Sequence, residues 1–470
     1  MTVFILGGGA AGLAAADGLI DSGVHDFVVL ERGARLGGLA QTLSWGNAGS
    51  HDLGPHKLFT LDRDLMQRVE ALLPASDWLT RDKISKIYLK GHYLPYPPSP
   101  LSLIGVFGLA TFIRMTAGYA AARVSSLGAN EPTTFEEDLS GRVGSGLYGA
   151  LFKPIAMKLW GDPARLDVKL SRGRVQTPSI FEIIARLLKL KSGSDFEALT
   201  FRYPSGGLSR LWDAIETKVG AKGTIHLRHT VVGLRVADNA IREIRAREET
   251  TGREIAIPVA STDLVASTLP LGQTVDFLSD SIPAELAALA RKIIILNDLL
   301  LVFLHVDRPS LLPESWVFVP DSDIIFHRLS EQESFDPAMT QSGSIVCCEI
   351  MSHEARPMSA RSDAELIDAT LKGLSDMGYN GFSVNASKVI RLPRSYPVYR
   401  PGYAQGLERI MDALDRTKNF RTLGRQGSFN YIGTLDAMDI GYGFARWYRD
   451  RAQVPWEQER SRTSHYPVLD

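Results

Sequence analysis

Cysteine is almost absent. The chain of 470 residues holds two, Cys347 and Cys348, side by side. Neighbours on a strand point to opposite faces, so no disulfide is expected between them. Such sparse cysteine fits a reduced, cytoplasmic setting. Net charge is missing as well: 52 Lys and Arg stand against 53 Asp and Glu, a formal charge of -1. Bulk nucleic-acid binding needs a basic face and is therefore not expected. No run approaches the about 20 apolar residues that a membrane-spanning helix needs. The longest apolar stretch, Leu101 to Ile113, reads as a buried helix of a helical insert, with docking on a membrane surface as the other reading. Repeats and low-complexity tracts are lacking. The first motif begins at Val3, which leaves no room for a signal peptide. The length suggests roughly three domains and allows a large core that needs neither disulfides nor metal.

What is present starts at once. Val3-Phe4-Ile5-Leu6 is an apolar, β-rich run that meets Gly7-Gly8-Gly9-Ala10-Ala11-Gly12, a G-x-G-x-x-G. Leu13, Ala16 and Ile20 then mark one helix face. Gly7 permits a tight turn, Gly9 lets backbone approach a pyrophosphate, and Gly12 lets helix and strand pack closely. The helix N-terminus favours the anion. Nineteen residues past Gly12, after the run Phe27-Val28-Val29-Leu30, stands Glu31, placed to accept hydrogen bonds from a ribose. Strand, helix and acid together point to dinucleotide binding.

Further along, Ile84 to Leu89 reads as a strand, followed by a break at Pro95, Pro97, Pro98 and Pro100. Residues 101–190 are mostly helical by pattern. Short β-branched runs at Val231–Val236, Ile241–Arg247, Glu254–Val259 and Leu264–Thr268, punctuated by Asp238-Asn239 and Thr251-Gly252, spell a meander. Strands return over 295–350, and a helix is expected from about Ala364 to Met377.

Downstream of Glu31 the text Arg32-Gly33-Ala34-Arg35-Leu36-Gly37-Gly38-Leu39 places a second glycine pair six residues from the acid. It resembles the E-R…G-G motif of FAD-binding proteins of the amine-oxidase and glutathione-reductase type. The stretch Asp263 to Pro270 is similar to the strand by which those proteins return to the FAD domain, and Val232 sits where they contact adenine. Five further patches resemble UDP-galactopyranose mutases and their relatives. These are Gly54-Pro55-His56-Lys57-Leu58-Phe59, Lys158-Leu159-Trp160-Gly161 with Arg174, Phe326-His327-Arg328, Tyr396-Pro397-Val398, and Leu423-Gly424-Arg425 through Tyr431. The chain departs from that pattern at Ile155, Phe429 and Ile432 to Leu435, which puts a remodelled sugar and base pocket among the expectations.

The resemblance implies an α/β fold: a Rossmann-type FAD-binding domain with a helical insert and a mixed β-sheet substrate domain. The FAD-binding parts are expected at 1–82, 201–272 (with the meander) and 389–450. Substrate-domain parts are expected at 83–200 and 273–388, with the insert at 101–190 and a surface tail at 451–470. It implies FAD contacts from Gly7, Gly9, Gly12, Glu31, Arg32, Gly37, Gly38, Leu39, Val232, Arg425 and Met438. Trp160, Tyr396 and Tyr431 would bind substrate, Arg174 and Arg328 would hold a diphosphate, and His56 would sit beside the flavin. The implied activity is a nucleotide-sugar mutase. A pyranose–furanose-type isomerisation would pass through a glycosyl adduct on N5 of reduced FAD, with no net redox. Its partners would be a nucleotide-diphosphate sugar and an external reductant such as NAD(P)H or a flavin reductase, and relatives of this size suggest a homodimer. The alternative is an FAD-dependent oxidase or dehydrogenase of the protoporphyrinogen-oxidase or desaturase type, acting on an apolar substrate.

Overall fold

The computed structural model describes residues 1–125, 130–174, 200–464 and 466. Parts of the expected helical insert (126–129 and 175–190), the end of the first substrate segment (191–199) and residues 465 and 467–470 of the expected tail lie outside the described residues.

The first run forms the strand Val3–Leu6, the centre of a five-stranded parallel sheet. Phe27–Leu30 and Leu264–Ser267 flank it, and Thr224–His226 and Phe420–Thr422 form the edges. Alternation decides what each side chain covers. Val3 and Ile5 join one buried cluster with the helices Ala10–Asp21, Ser209–Gly220 and Thr434–Asp450, whereas Phe4 and Leu6 join another with the meander. The meander is three antiparallel strands, His229–Ala237, Ala240–Glu248 and Glu254–Pro258. The fourth run of the sequence pattern, Leu264–Ser267, leaves it and enters the parallel sheet.

A mixed seven-stranded sheet makes the other half. Its order is Val384–Val398, Ile295–Val306, Ser344–Ser352, Arg328–Glu331, Trp316–Phe318, Ser85–Leu89 and His92–Pro95. Helix Asp363–Asp376 covers one face through Leu366 and Leu374; the hairpin residues Ala48 and Leu53 meet the other. Cys348 belongs to the first face and Cys347 to the second, and both thiols are free. The architecture is α/β, a Rossmann-type parallel sheet with helices and a mixed-sheet second half.

One expected boundary crosses a strand, and the expected surface tail is anchored. The boundary at 388–389 falls inside the strand Val384–Val398, which pairs with Ile295–Val306 along most of its length. The described part of the tail is docked: Trp456 is buried against Phe444 and Trp447, and Arg462 and Tyr466 both hold Asp439. One large aromatic suffices to seat an otherwise charged segment.

Candidate functional site

The glycine motif shows which of its glycines the protein itself requires. Gly7 has φ +107, a value side-chain-bearing residues avoid. At Gly12 a Cβ would land on the Gly7 carbonyl oxygen. Gly9 is constrained by neither: its backbone is extended, and a Cβ there would meet nothing nearer than Gly38 Cα at 3.9 Å. The space in front of Gly9 is therefore one that the described protein leaves for something else. Gly37 and Gly38, with φ +106 and +59, close the opposite wall, and Gly37 N–H donates to the Gly8 carbonyl at 2.8 Å.

The N-terminus of helix Ala10–Asp21 opens on that space with no side-chain cap. Helix Thr434–Asp450 lies beside it. Ala11 meets Gly441 and Gly18 meets Ala445, so the two run parallel and their N-termini share one end of the molecule. The second helix starts seven residues before Gly441 and overhangs the first by roughly 5–9 Å at 1.5 Å per residue. This packing corrects the reading of Met438. On the shared face it is wholly enclosed and presents no surface to a cofactor. Glu31 is also more committed than a ribose acceptor: its two oxygens take the N–H groups of Gly8 and Gly33, each at 2.7 Å. Its remaining lone pairs are all it can offer a ligand. Val232 is a bulge, skipped in the pairing of Val231 and Gly233 with the next strand. A bulge leaves backbone groups outside the ladder. Leu39 is half-buried on the glycine loop, and Arg32 is exposed. These features fit a dinucleotide.

At the far end, the turn Gly54-Pro55-His56 is pinned on both sides. Asp52 N–H donates to Gln332 Oε1, and Leu58 exchanges backbone hydrogen bonds with Arg202. His56 Nδ1 lies 3.0 Å from the Gly54 carbonyl oxygen, so Nδ1 carries the proton and Nε2 is left as an acceptor. Burial, helped by the charges of Arg328 and Arg425, lowers its pKa to about 4. The imidazole is therefore neutral across the physiological range.

Arg328 opens the strand Arg328–Glu331 directly opposite Glu349, and its guanidinium grips that buried carboxylate through Nε and Nη2. Its charge is thus largely matched inside the protein. Glu349 was not singled out in the sequence, though a lone acid in Val346-Cys347-Cys348-Glu349-Ile350-Met351 was a signal, because buried charges are nearly always paired.

The remaining residues converge on Tyr431. Arg174, at the end of helix Val168–Arg174, lies 3.4 Å from its ring centroid and donates through Nη2 to its carbonyl at 2.7 Å. Tyr396 stands edge-on to the same ring at 5.1 Å, and Trp160 at 6.3 Å. Arg425 sits 5.0 Å from the Tyr396 ring and 5.1 Å from Tyr431, with Nη1 on the Ile432 carbonyl. Three donors in this group are buried and unpartnered among the described residues: Arg174 Nε, Arg425 Nε and Trp160 Nε1. An unmade bond at a buried charged group is costly; these three atoms are closed off from solvent, so an anion would reach them only after side-chain movement. Tyr399, also missed in the sequence, holds the segment in place. Its hydroxyl donates to Phe429 O at 3.3 Å and accepts Tyr431 N–H at 2.9 Å. Phe429 itself is buried against Tyr399 and Tyr403, so this departure from the family pattern remodels core packing and not a pocket wall.

Lys158, from the same motif as Trp160, points the other way. It is buried and donates to the carbonyls of Val319 and Phe326, bracing the loop that leads into Arg328. Burial, with Arg356 nearby, lowers its pKa to about 7. Between that value and the ordinary value of 10.5 the unfolded chain binds the extra proton, so stability rises with pH and the gain is lost below pH 7. The slope should approach about 1.4 kcal/mol per pH unit. Urea unfolding at neutral and mildly alkaline pH should show Lys158→Met losing that rise; an unchanged slope would remove Lys158 as its source.

Residues 5–72 match the family described as an NAD(P)-binding Rossmann-like domain, and residues 119–405 match flavin containing amine oxidoreductase. Reduced UDP-galactopyranose mutase superposes with a TM-score of 0.83 at 19% identity, over 98% of this chain and 96% of that one. A proposed protoporphyrinogen oxidase from Exiguobacterium sp. 255-15 gives 0.73 at 18%, over 96% and 99%. Cyclohexylamine oxidase from Brevibacterium oxydans IH-35A gives 0.65 at 14%, again over 96% and 99%. At these identities the likeness is one of fold.

Proposed function

We propose, from the premise that the chain belongs to the flavin containing amine oxidoreductase family, that it is a flavin-dependent isomerase of nucleotide-diphosphate sugars using FAD in its reduced form. The observation that carries this reading is the convergence of Arg174, Arg425, Tyr396 and Trp160 on one tyrosine, Tyr431. A cavity for an apolar substrate would gain nothing from them, because buried guanidinium groups without an anion are costly. A diphosphate supplies the acceptors they lack.

Reduced flavin, when bound, supplies an electron-rich nucleophile for the anomeric carbon, so the protein needs none of its own. The protein's part is charge and position. Arg174 and Arg425 stabilise negative charge as the diphosphate leaves and keep it at hand for return, and Tyr396 and Tyr431 wall it in. Neutral His56 offers Nε2 as an acceptor beside Arg328, whose own charge is balanced by Glu349.

Dithionite-reduced holoenzyme, incubated without oxygen with a panel of UDP-, GDP- and dTDP-sugars, should interconvert one of them with no net redox. If oxidised enzyme instead makes peroxide stoichiometrically from an apolar substrate and the panel is untouched, the chain is an oxidase.

A further inference from the structure

We propose that the helices Pro100–Phe107 and Leu109–Ser125, rimmed by the hairpin Ser85–Leu89 and His92–Pro95, form a surface that docks on an anionic lipid bilayer.

Apolar residues on the outer side of a helix, as well as the inner, call for a second covering. The inner sides of these two are covered. Leu103 packs among Ile87, Leu89, Leu94 and Leu151, and the second helix lies on Phe135–Val143. The outer side is not. Leu101 is 80% exposed, Leu109 59%, Ile113 57% and Val124 70%. With Ala117 and Ala120 between them, positions 109, 113, 117, 120 and 124 repeat at helical spacing and make one stripe, open to solvent among the described residues. Contiguous exposed apolar surface of this kind marks an interaction site.

Charge identifies the partner. From Lys83 to Asn130 there is no Asp or Glu, while Lys83, Lys90, Arg114 and Arg123 carry positive charge, as does Lys86, which is paired with Glu314 from outside the stretch. A chain with 53 acids in 470 residues would average about five in such a stretch. The rim has the make-up of an interfacial belt. Lys90 Nζ lies 5.1 Å from the Phe107 ring centroid, Lys86 Nζ lies 5.9 Å from that of Tyr93, and Lys83 Nζ 6.0 Å from that of Tyr96. Tyr93 and Tyr96 are themselves exposed. Aromatic rings with a polar tip, and lysines with apolar stems, favour the headgroup level. No helix among the described residues is long and apolar enough to cross a membrane, so this surface lies along the bilayer. A second copy fits less well, because a two-fold pairing would set this largely basic rim against itself.

Flotation of the holoprotein with phosphatidylcholine vesicles, with and without phosphatidylglycerol, tests this. The protein should float with the anionic vesicles, stay behind with the neutral ones, and be released by high salt. The double variant Leu109→Glu/Ile113→Glu should lose at least tenfold in vesicle binding while flavin content and thermal midpoint hold. Should it fail to fold, Lys83→Glu/Lys90→Glu provides the same reading from the rim. Absence of flotation with either vesicle would overturn the proposal. So would a concentration-dependent dimer that the stripe variant dissolves.

Discussion

Arg174→Ala is expected to lower kcat by about 10²–10³-fold, the cost of removing one preorganised donor to a developing anion, with the flavin still bound. The argument rests on three features of this side chain. Its Cζ lies over the Tyr431 ring, its Nη2 is fixed by the Tyr431 carbonyl, and its Nε is buried without a partner among the described residues. Stacking and carbonyl contact fix the orientation, so little entropy remains to be lost when an anion arrives. Arg174→Lys keeps the charge but neither the fork nor the stack, and should recover only part of the loss. The measurement is kcat and KM for whichever sugar nucleotide turns over, beside the flavin absorbance of each variant. Activity of Arg174→Ala within about threefold of wild type would take Arg174 out of the reacting site. Arg328 is a poorer probe of the same idea. Its removal strands the buried Glu349 carboxylate, and breaking a buried pair costs about 3–5 kcal/mol of stability, so lost activity there would report folding and chemistry together.

Gly9→Val should strip the flavin and leave the fold intact. Gly9 has an extended backbone that valine adopts readily, and its Cβ position is clear of the protein out to 3.9 Å. A Cβ there meets only Gly38 Cα, at van der Waals distance, so the collision expected is with a ligand. Purified Gly9→Val should be colourless, with a circular dichroism spectrum and melting midpoint close to those of the flavin-free wild type. A yellow, stoichiometrically loaded variant would move the cofactor away from this glycine. Gly12→Val makes the control: there the side chain would strike the Gly7 carbonyl, so the glycine turn itself should fail, with loss of stability as well as cofactor.

The contrast between these glycines shows where sequence reading succeeds. Val3 to Gly12 is legible because strand, turn and helix are contiguous and their geometry is set by φ, ψ and the absence of Cβ atoms. The alternation of Val3 and Ile5 against Phe4 and Leu6, and the opposed faces of Cys347 and Cys348, follow from the two-residue period of a strand. The enclosure of Met438 and the docking of the tail are not legible in the sequence, for a common reason. Both belong to helices whose facing depends on partners far off in sequence: Gly441 against Ala11 in one case, Trp456 against Trp447 in the other. Glu349 and Tyr399 were missed because a residue that acts by holding another carries no motif of its own.

The order of residues alone determined the opening strand, glycine turn and helix, the second glycine pair and the types of side chain available for an anion, since each is written in short, local stretches. Only the tertiary structure decided that Arg174 meets Tyr431 across 257 residues of chain. It alone showed that Arg328 is already neutralised by Glu349, that His56 stays uncharged, and that three donors are left wanting an acceptor. Convergence, burial and desolvation are properties of packed elements, and no local pattern encodes them.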